Sequence, residues 1–93
     1  MNWETGLSRQ AEKFLRQRRL PDEFVIKPVR LAVRKLRGEM VAINLKRLVG
    51  GWAGCYRVRI GKIRIIFSID FDEQKILIEV VDNRGGVYRW AHY

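Results

Sequence analysis

The chain has 93 residues, 47% of them apolar and 31% charged, which fits one globular domain with a modest core. A net charge of +9 and a pI near 10.5 favour a polyanionic partner such as nucleic acid, an anionic membrane or an acidic protein. A single cysteine, Cys55, excludes an internal disulfide and leaves too few ligands for a zinc site.

No apolar run approaches the 18 residues of a membrane span, and no charged segment followed by a long apolar one opens the chain, so the expected location is the cytoplasm. Asn2 to Leu7 reads as a short edge strand with Trp3, Thr5 and Leu7 on one face. Ser8 is a good N-cap for a helix over residues 9–19, whose apolar stripe is Ala11, Phe14 and Leu15. Leu20-Pro21-Asp22 breaks that helix, and Asp22 is placed to cap the next. Pro28 fits best in a first turn, which predicts a second helix beginning near Ile26 or Lys27. Its inward stripe is Val29, Ala32, Val33 and Leu36, and Gly38 is the expected stop.

Residues 39–54 form a connector in which Asn44 to Leu48 reads as a turn or a short strand, with Trp52 as a packing anchor. Three strands follow between Cys55 and Val81. Gly61-Lys62 suits a two-residue type II′ turn. That turn sets Ile60 opposite Ile63, Arg59 opposite Arg64, Val58 opposite Ile65 and Arg57 opposite Ile66. One face is then apolar, and the other gathers Arg57, Arg59 and Arg64. Like charges directly opposite cost roughly 0.2–1 kcal/mol unless an anion lies between them. Lys75 to Val81 is apolar on both faces, which predicts a central strand. Residues 82–86 read as a polar loop, and Val87 to Tyr93 as a short strand or a tail. The fold class expected is α+β: a short strand, a helical hairpin, then a mostly antiparallel twisted sheet.

The sequence lacks a Walker A loop, a dinucleotide fingerprint and an HExxH motif. Its one histidine is His92. Cys55 shares the arginine face by alternation, where nearby positive charge lowers a thiol pKa, although a small buried thiol is the preferred reading. Arginine, tyrosine and lysine remain. Guanidinium groups hold phosphate bidentately and keep their charge. On rigid strands they form a preorganised site for the charge that builds on a phosphate under attack. Arg84 stands in the polar loop and Tyr88 beyond it. A tyrosine among arginines has its phenolate favoured, and its ring can stack on a base. The residues alone leave open whether such a face binds nucleic acid or cuts it.

The stretch YRVRIGKIRIIFSID, followed after a strand by Arg84 and then Val87-Tyr88-Arg89, resembles the RelE/ParE toxin superfamily of bacterial toxin–antitoxin modules. The resemblance spans nearly the whole chain and is most specific from Gly54 to Asp70. RelE-like members are messenger RNA interferases that cut the codon in the ribosomal A site, without metal, leaving a 2′,3′-cyclic phosphate. It implies that Arg57 and Arg59 are the two strand basics, often lysines elsewhere. It further implies that Arg64 holds the scissile phosphate, Arg84 serves the leaving oxygen and Tyr88 stacks on or orients the nucleotide. The loop Asn83-Arg84-Gly85-Gly86 departs from the His-Arg-Arg-Asp-like loop of many relatives, and an arginine at 59 is a poor general base. The proton acceptor is then Tyr88 or a group on the ribosome. The ending His92-Tyr93 is similar to that of the YoeB branch, whose terminal His-Tyr has catalytic duties.

Three readings follow. The first is a ribosome-dependent endoribonuclease toxin, needing no cofactor, with ribosome and messenger RNA as partners. The second is a ParE-like inhibitor of DNA gyrase, and the third is a plain RNA-binding module. ParE-like chains usually lack the full arginine set with the terminal tyrosine, so the resemblance favours the first. Either toxin implies a short acidic antitoxin with a helix laid over the helical hairpin or the basic groove.

Overall fold

A computed structural model describes residues 3–83. Five strands and two helices follow in the order β1 (Glu4–Leu7), α1 (Arg9–Gln17), α2 (Glu23–Leu36), β2 (Asn44–Arg47), β3 (Cys55–Ile60), β4 (Ile63–Asp70) and β5 (Lys75–Asn83). The sheet order is β1-β5-β4-β3-β2, with β1 parallel to β5 and every other pair antiparallel. Both helices cover one face. Val58, Ile65, Phe67, Ile76, Ile78 and Val81 of the sheet meet Ala11, Phe14 and Leu15 of α1 and Val25, Val29, Ala32 and Val33 of α2. Each large side chain buried there contributes about 1.5–3 kcal/mol. The architecture is the α+β arrangement expected, with the four residues of β2 adding an edge strand.

The helix boundaries follow from local chemistry. Ser8 caps α1 by accepting from the Ala11 amide at 3.1 Å. Gly38, at φ +95°, ends α2 in a Schellman turn. In it the Gly38 amide donates to Lys35 O and the Glu39 amide to Arg34 O. The start of α2 corrects the sequence reading. The helix begins at Glu23, and Pro28 lies inside it. Burial of Val25 in the core extends the apolar stripe a full turn earlier. That gain outweighs the hydrogen bond Pro28 denies to the carbonyl four residues back. Asp22 caps with its backbone carbonyl, which accepts from Val25 and Ile26, and not with its side chain.

The hairpin register matches expectation pair for pair: Ile60↔Ile63, Arg59↔Arg64, Val58↔Ile65 and Arg57↔Ile66. Gly61 takes φ +57° and Lys62 does not take a positive φ, as a type II′ turn requires. The third strand runs further than expected, because Asp82 and Asn83 belong to β5 and not to a loop. Its register shifts between Ile66 and Phe67, which face Val80 and Ile78 and leave Glu79 as a bulge. Ser8 Oγ donates to the Glu79 carbonyl at 2.7 Å. Gln10 then extends the ladder beyond the end of β1. Its Nε2 donates to Val81 O at 2.8 Å, and its Oε1 accepts from Val81 N at 2.8 Å.

Removing that carboxamide in Gln10→Ala strands two backbone groups, and we expect a loss of about 2 kcal/mol in urea unfolding. Thr5 Oγ1 is buried without a hydrogen-bond partner. Thr5→Val should therefore raise the urea midpoint, by about 1 kcal/mol in stability. A lowered midpoint would show that the hydroxyl is satisfied.

Candidate nucleic-acid interface

The sheet face away from the helices carries the charge. Strand alternation and the observed register arrange it in rows across the sheet. One row is Asn44, Arg59, Arg64 and Asp82. The next is Lys46, Arg57, Ile66 and Val80. Four cations from three strands thus occupy neighbouring positions, and two cross-strand pairs are like-charged: Arg59 with Arg64, and Lys46 with Arg57. The helical hairpin covers none of them, since its apolar stripes pack on the opposite face.

Exposure grades across the cluster. Arg59 and Lys46 are exposed, Arg57 is half-buried, and Arg64 is only 5% exposed. Arg57 donates from Nη2 to Asn44 Oδ1 at 3.0 Å, which draws its guanidinium toward β2. Arg64 lies between Arg59 and Asp82, the one carboxylate in its row. It is the single charged residue within the buried set of the described chain. A guanidinium in that position is fixed in place, and its charge acts through a less polarisable medium than water.

Beyond the cations the face turns apolar. Cys55, Ile66 and Val80 form a second small cluster against which Leu48 and Trp52 pack. Trp3 and Trp52 both serve as packing residues, Trp3 in the main core with its ring edge-on to Phe71 at 5.8 Å. Cys55 lies on the expected face and is the small buried thiol that the sequence reading preferred. Its thiol donates to Glu79 Oε2 at 3.4 Å. Burial, then that hydrogen bond and the carboxylate charge, push its pKa up to about 11 from 9.0. Burial is the larger cause, and the Glu79 carboxylate against the thiol adds to it. No group of three His, Cys, Asp or Glu side chains able to hold a metal occurs among the described residues.

Arg84, Tyr88, His92 and Tyr93 lie outside the described residues, as does Trp90. The three strand arginines are brought together as expected. Lys46 and Asn44 escaped the sequence reading, although Asn44-Leu45-Lys46 alternates polar, apolar, polar. A groove of about 610 Å³ between α2 and the β2–β3 edge borders the same face at Arg59. Phe24, Pro28, Leu31, Ile43 and Ile60 line much of it, with Lys27, Asn44 and Arg59 as its donors.

Comparison with solved structures decides the fold. The RelBE2 toxin–antitoxin complex of Mycobacterium tuberculosis contains a chain 25% identical, with a TM-score of 0.58, over 90% of this chain and 100% of that one. This is a RelE-like toxin fold. The archaeal RelE–RelB complex of Pyrococcus horikoshii gives 25% identity and a TM-score of 0.58 over 92% and 99% of the two chains. A YafQ mutant from E. coli, at 16% identity, has a TM-score of 0.63 over 94% and 99%. No family model matches the sequence, and no curated protein is similar to it by sequence. Among the described residues no helix of this RelE-like fold is long and apolar enough to cross a membrane.

The raised thiol pKa gives a direct check. The folded Cys55 stays protonated through the unfolded value near 9, so its contribution to stability is complete below pH 9 and is lost as pH rises toward 11. At pH 8 iodoacetamide should modify native Cys55 far more slowly than the urea-unfolded chain. Faster modification of the native thiol would mean that the arginines, and not Glu79 and burial, control it.

Proposed function

We propose that this chain is the toxin of a type II toxin–antitoxin pair and acts as a ribosome-dependent endoribonuclease on messenger RNA in the cytoplasm. Its partner is a short acidic antitoxin. The supporting observation is the pair of like-charged contacts, Arg59 with Arg64 and Lys46 with Arg57, kept on the helix-free face of a RelE-like sheet. A phosphate lying between two such side chains is held by charge from both strands. The neighbours solved as toxin–antitoxin complexes support the same reading.

The reaction needs no metal in this reading. The 2′-oxygen attacks the adjacent phosphorus, the bond to the 5′-oxygen breaks, and a 2′,3′-cyclic phosphate and a 5′-hydroxyl result. The proton leaving the 2′-hydroxyl passes to Tyr88 as its phenolate or to a ribosomal group, and the 5′-oxygen takes one from water, its charge offset by Arg84. Arg59, the exposed arginine of the row next to the turn, holds the non-bridging oxygens as negative charge builds, and Arg57, one row further along β3, holds the RNA backbone beside them. Arg64, at 5% exposure, serves as a fixed charge beneath them and strengthens the site without having to reach out. His92 and Tyr93 are secondary candidates for proton transfer.

The test is to express the chain in translating cells and map messenger RNA 5′ ends, with a gyrase supercoiling assay beside it. Breaks inside codons of translated messages are expected, with gyrase unaffected. Arg59→Ala and Arg64→Ala should each slow cleavage on the order of 10²–10³-fold. Arg59→Ala, which removes a like charge opposite Arg64, should not lower the unfolding midpoint and should raise it slightly. Intact messages together with inhibited supercoiling would replace the nuclease by a gyrase inhibitor, and full activity in both variants would remove the arginines from the reaction.

A further inference from the structure

We infer that Lys46 and Arg57 form a second phosphate subsite, so that a single RNA strand runs along β3 with successive phosphates at successive cation pairs. The inference rests on the nuclease reading and adds to it a residue, Lys46, and a path for the substrate. Three observations carry it. First, Lys46 and Arg57 are direct cross-strand partners, and their row lies beside the Arg59–Arg64 row on the same face. Secondly, two residues of extended strand advance about 7 Å, close to the separation of neighbouring phosphates along an extended RNA strand. Thirdly, the Asn44 carboxamide takes one N–H of Arg57 and draws that guanidinium toward β2, the strand that carries Lys46.

The arrangement also fixes the direction of the track. Arg59 and Arg64 adjoin the Gly61-Lys62 turn, and Lys46 and Arg57 stand further from it. Ile66 and Val80 complete the Lys46–Arg57 row, and the next row pairs Cys55 with Ser68 and carries no further cation on β3 or β4. The described face thus presents two phosphate positions, one for the reacting group and one for its neighbour.

A phosphate contact reveals itself in salt dependence. We would measure binding of a 2′-O-methyl RNA oligonucleotide, which cannot be cleaved, to the full chain over a range of salt concentrations. Lys46→Ala should flatten the slope of log K against log salt by about 0.7, the value for one phosphate contact on a single strand. The loss should be the same for every RNA sequence, and Lys46→Arg should restore the slope. Lys13→Ala, which removes the same charge from exposed α1, should leave the slope unchanged. An unaltered slope in Lys46→Ala, or an equal drop in Lys13→Ala, overturns the subsite while wild-type binding keeps the nuclease reading. A wild-type chain that binds no RNA overturns both. A polyglutamate peptide competing as well as RNA at equal charge would reassign the pair to an acidic protein and overturn the subsite.

Discussion

The pairing of β3 with β4 through the Gly61-Lys62 turn is the constraint on which this molecule depends. Side chains alternate strictly along a strand, so a slip of one residue would exchange the two faces. Arg57 and Arg59 would then point into the core beneath α2, and Val58 would point to the opposite face. The core and the cationic face are therefore two readings of a single register. A two-residue turn with glycine at its first position tolerates little variation in that register.

The remaining strands extend the same phase outward. β2 adds Lys46 and Asn44 to the cationic face and places Leu45 against the core. β5 stays in phase through the bulge at Glu79, whose carbonyl is taken by Ser8 Oγ and which Gln10 secures one step further on. The N-terminus of α1 thus serves two purposes. It caps its own helix, and it fixes the strand that flanks Arg64. The graded exposure of the arginines follows from position, with Arg59 near the open hairpin end and Arg64 between two neighbouring strands. Held charges of this kind act on a developing negative charge without reorganising when it forms.

Much of this was legible in the sequence, and the parts that were share a cause. Ser8, through its hydroxyl, and Gly38 and Gly61, through their backbone freedom, act on the chain beside them, so the α1 cap, the α2 stop and the hairpin register could be read from neighbours along the chain. The failures are tertiary. The start of α2 turned on the burial of Val25, which outweighs the local preference of Pro28. The bulge depends on a hydrogen bond from Ser8, 71 residues away, and nothing near Glu79 announces it. The burial of the Cys55 thiol was anticipated, and only the added push of Glu79 was not, because alternation put Cys55 among arginines and gave no warning of that carboxylate. For the site, the three strand arginines were legible because one turn fixes them all. Lys46 was not, since its strand is four residues long and only its pairing with β3 reveals which way it faces.

The most direct measurement of the central claim is a backbone amide NMR titration with the same uncleavable RNA. Convergence of the cations on one phosphate path predicts that the shifts gather at Asn44 to Lys46, Arg57 to Arg59 and Arg64, and leave α1 unchanged. Shifts confined to the helices, or to the groove of Phe24, Pro28 and Ile43, would contradict it.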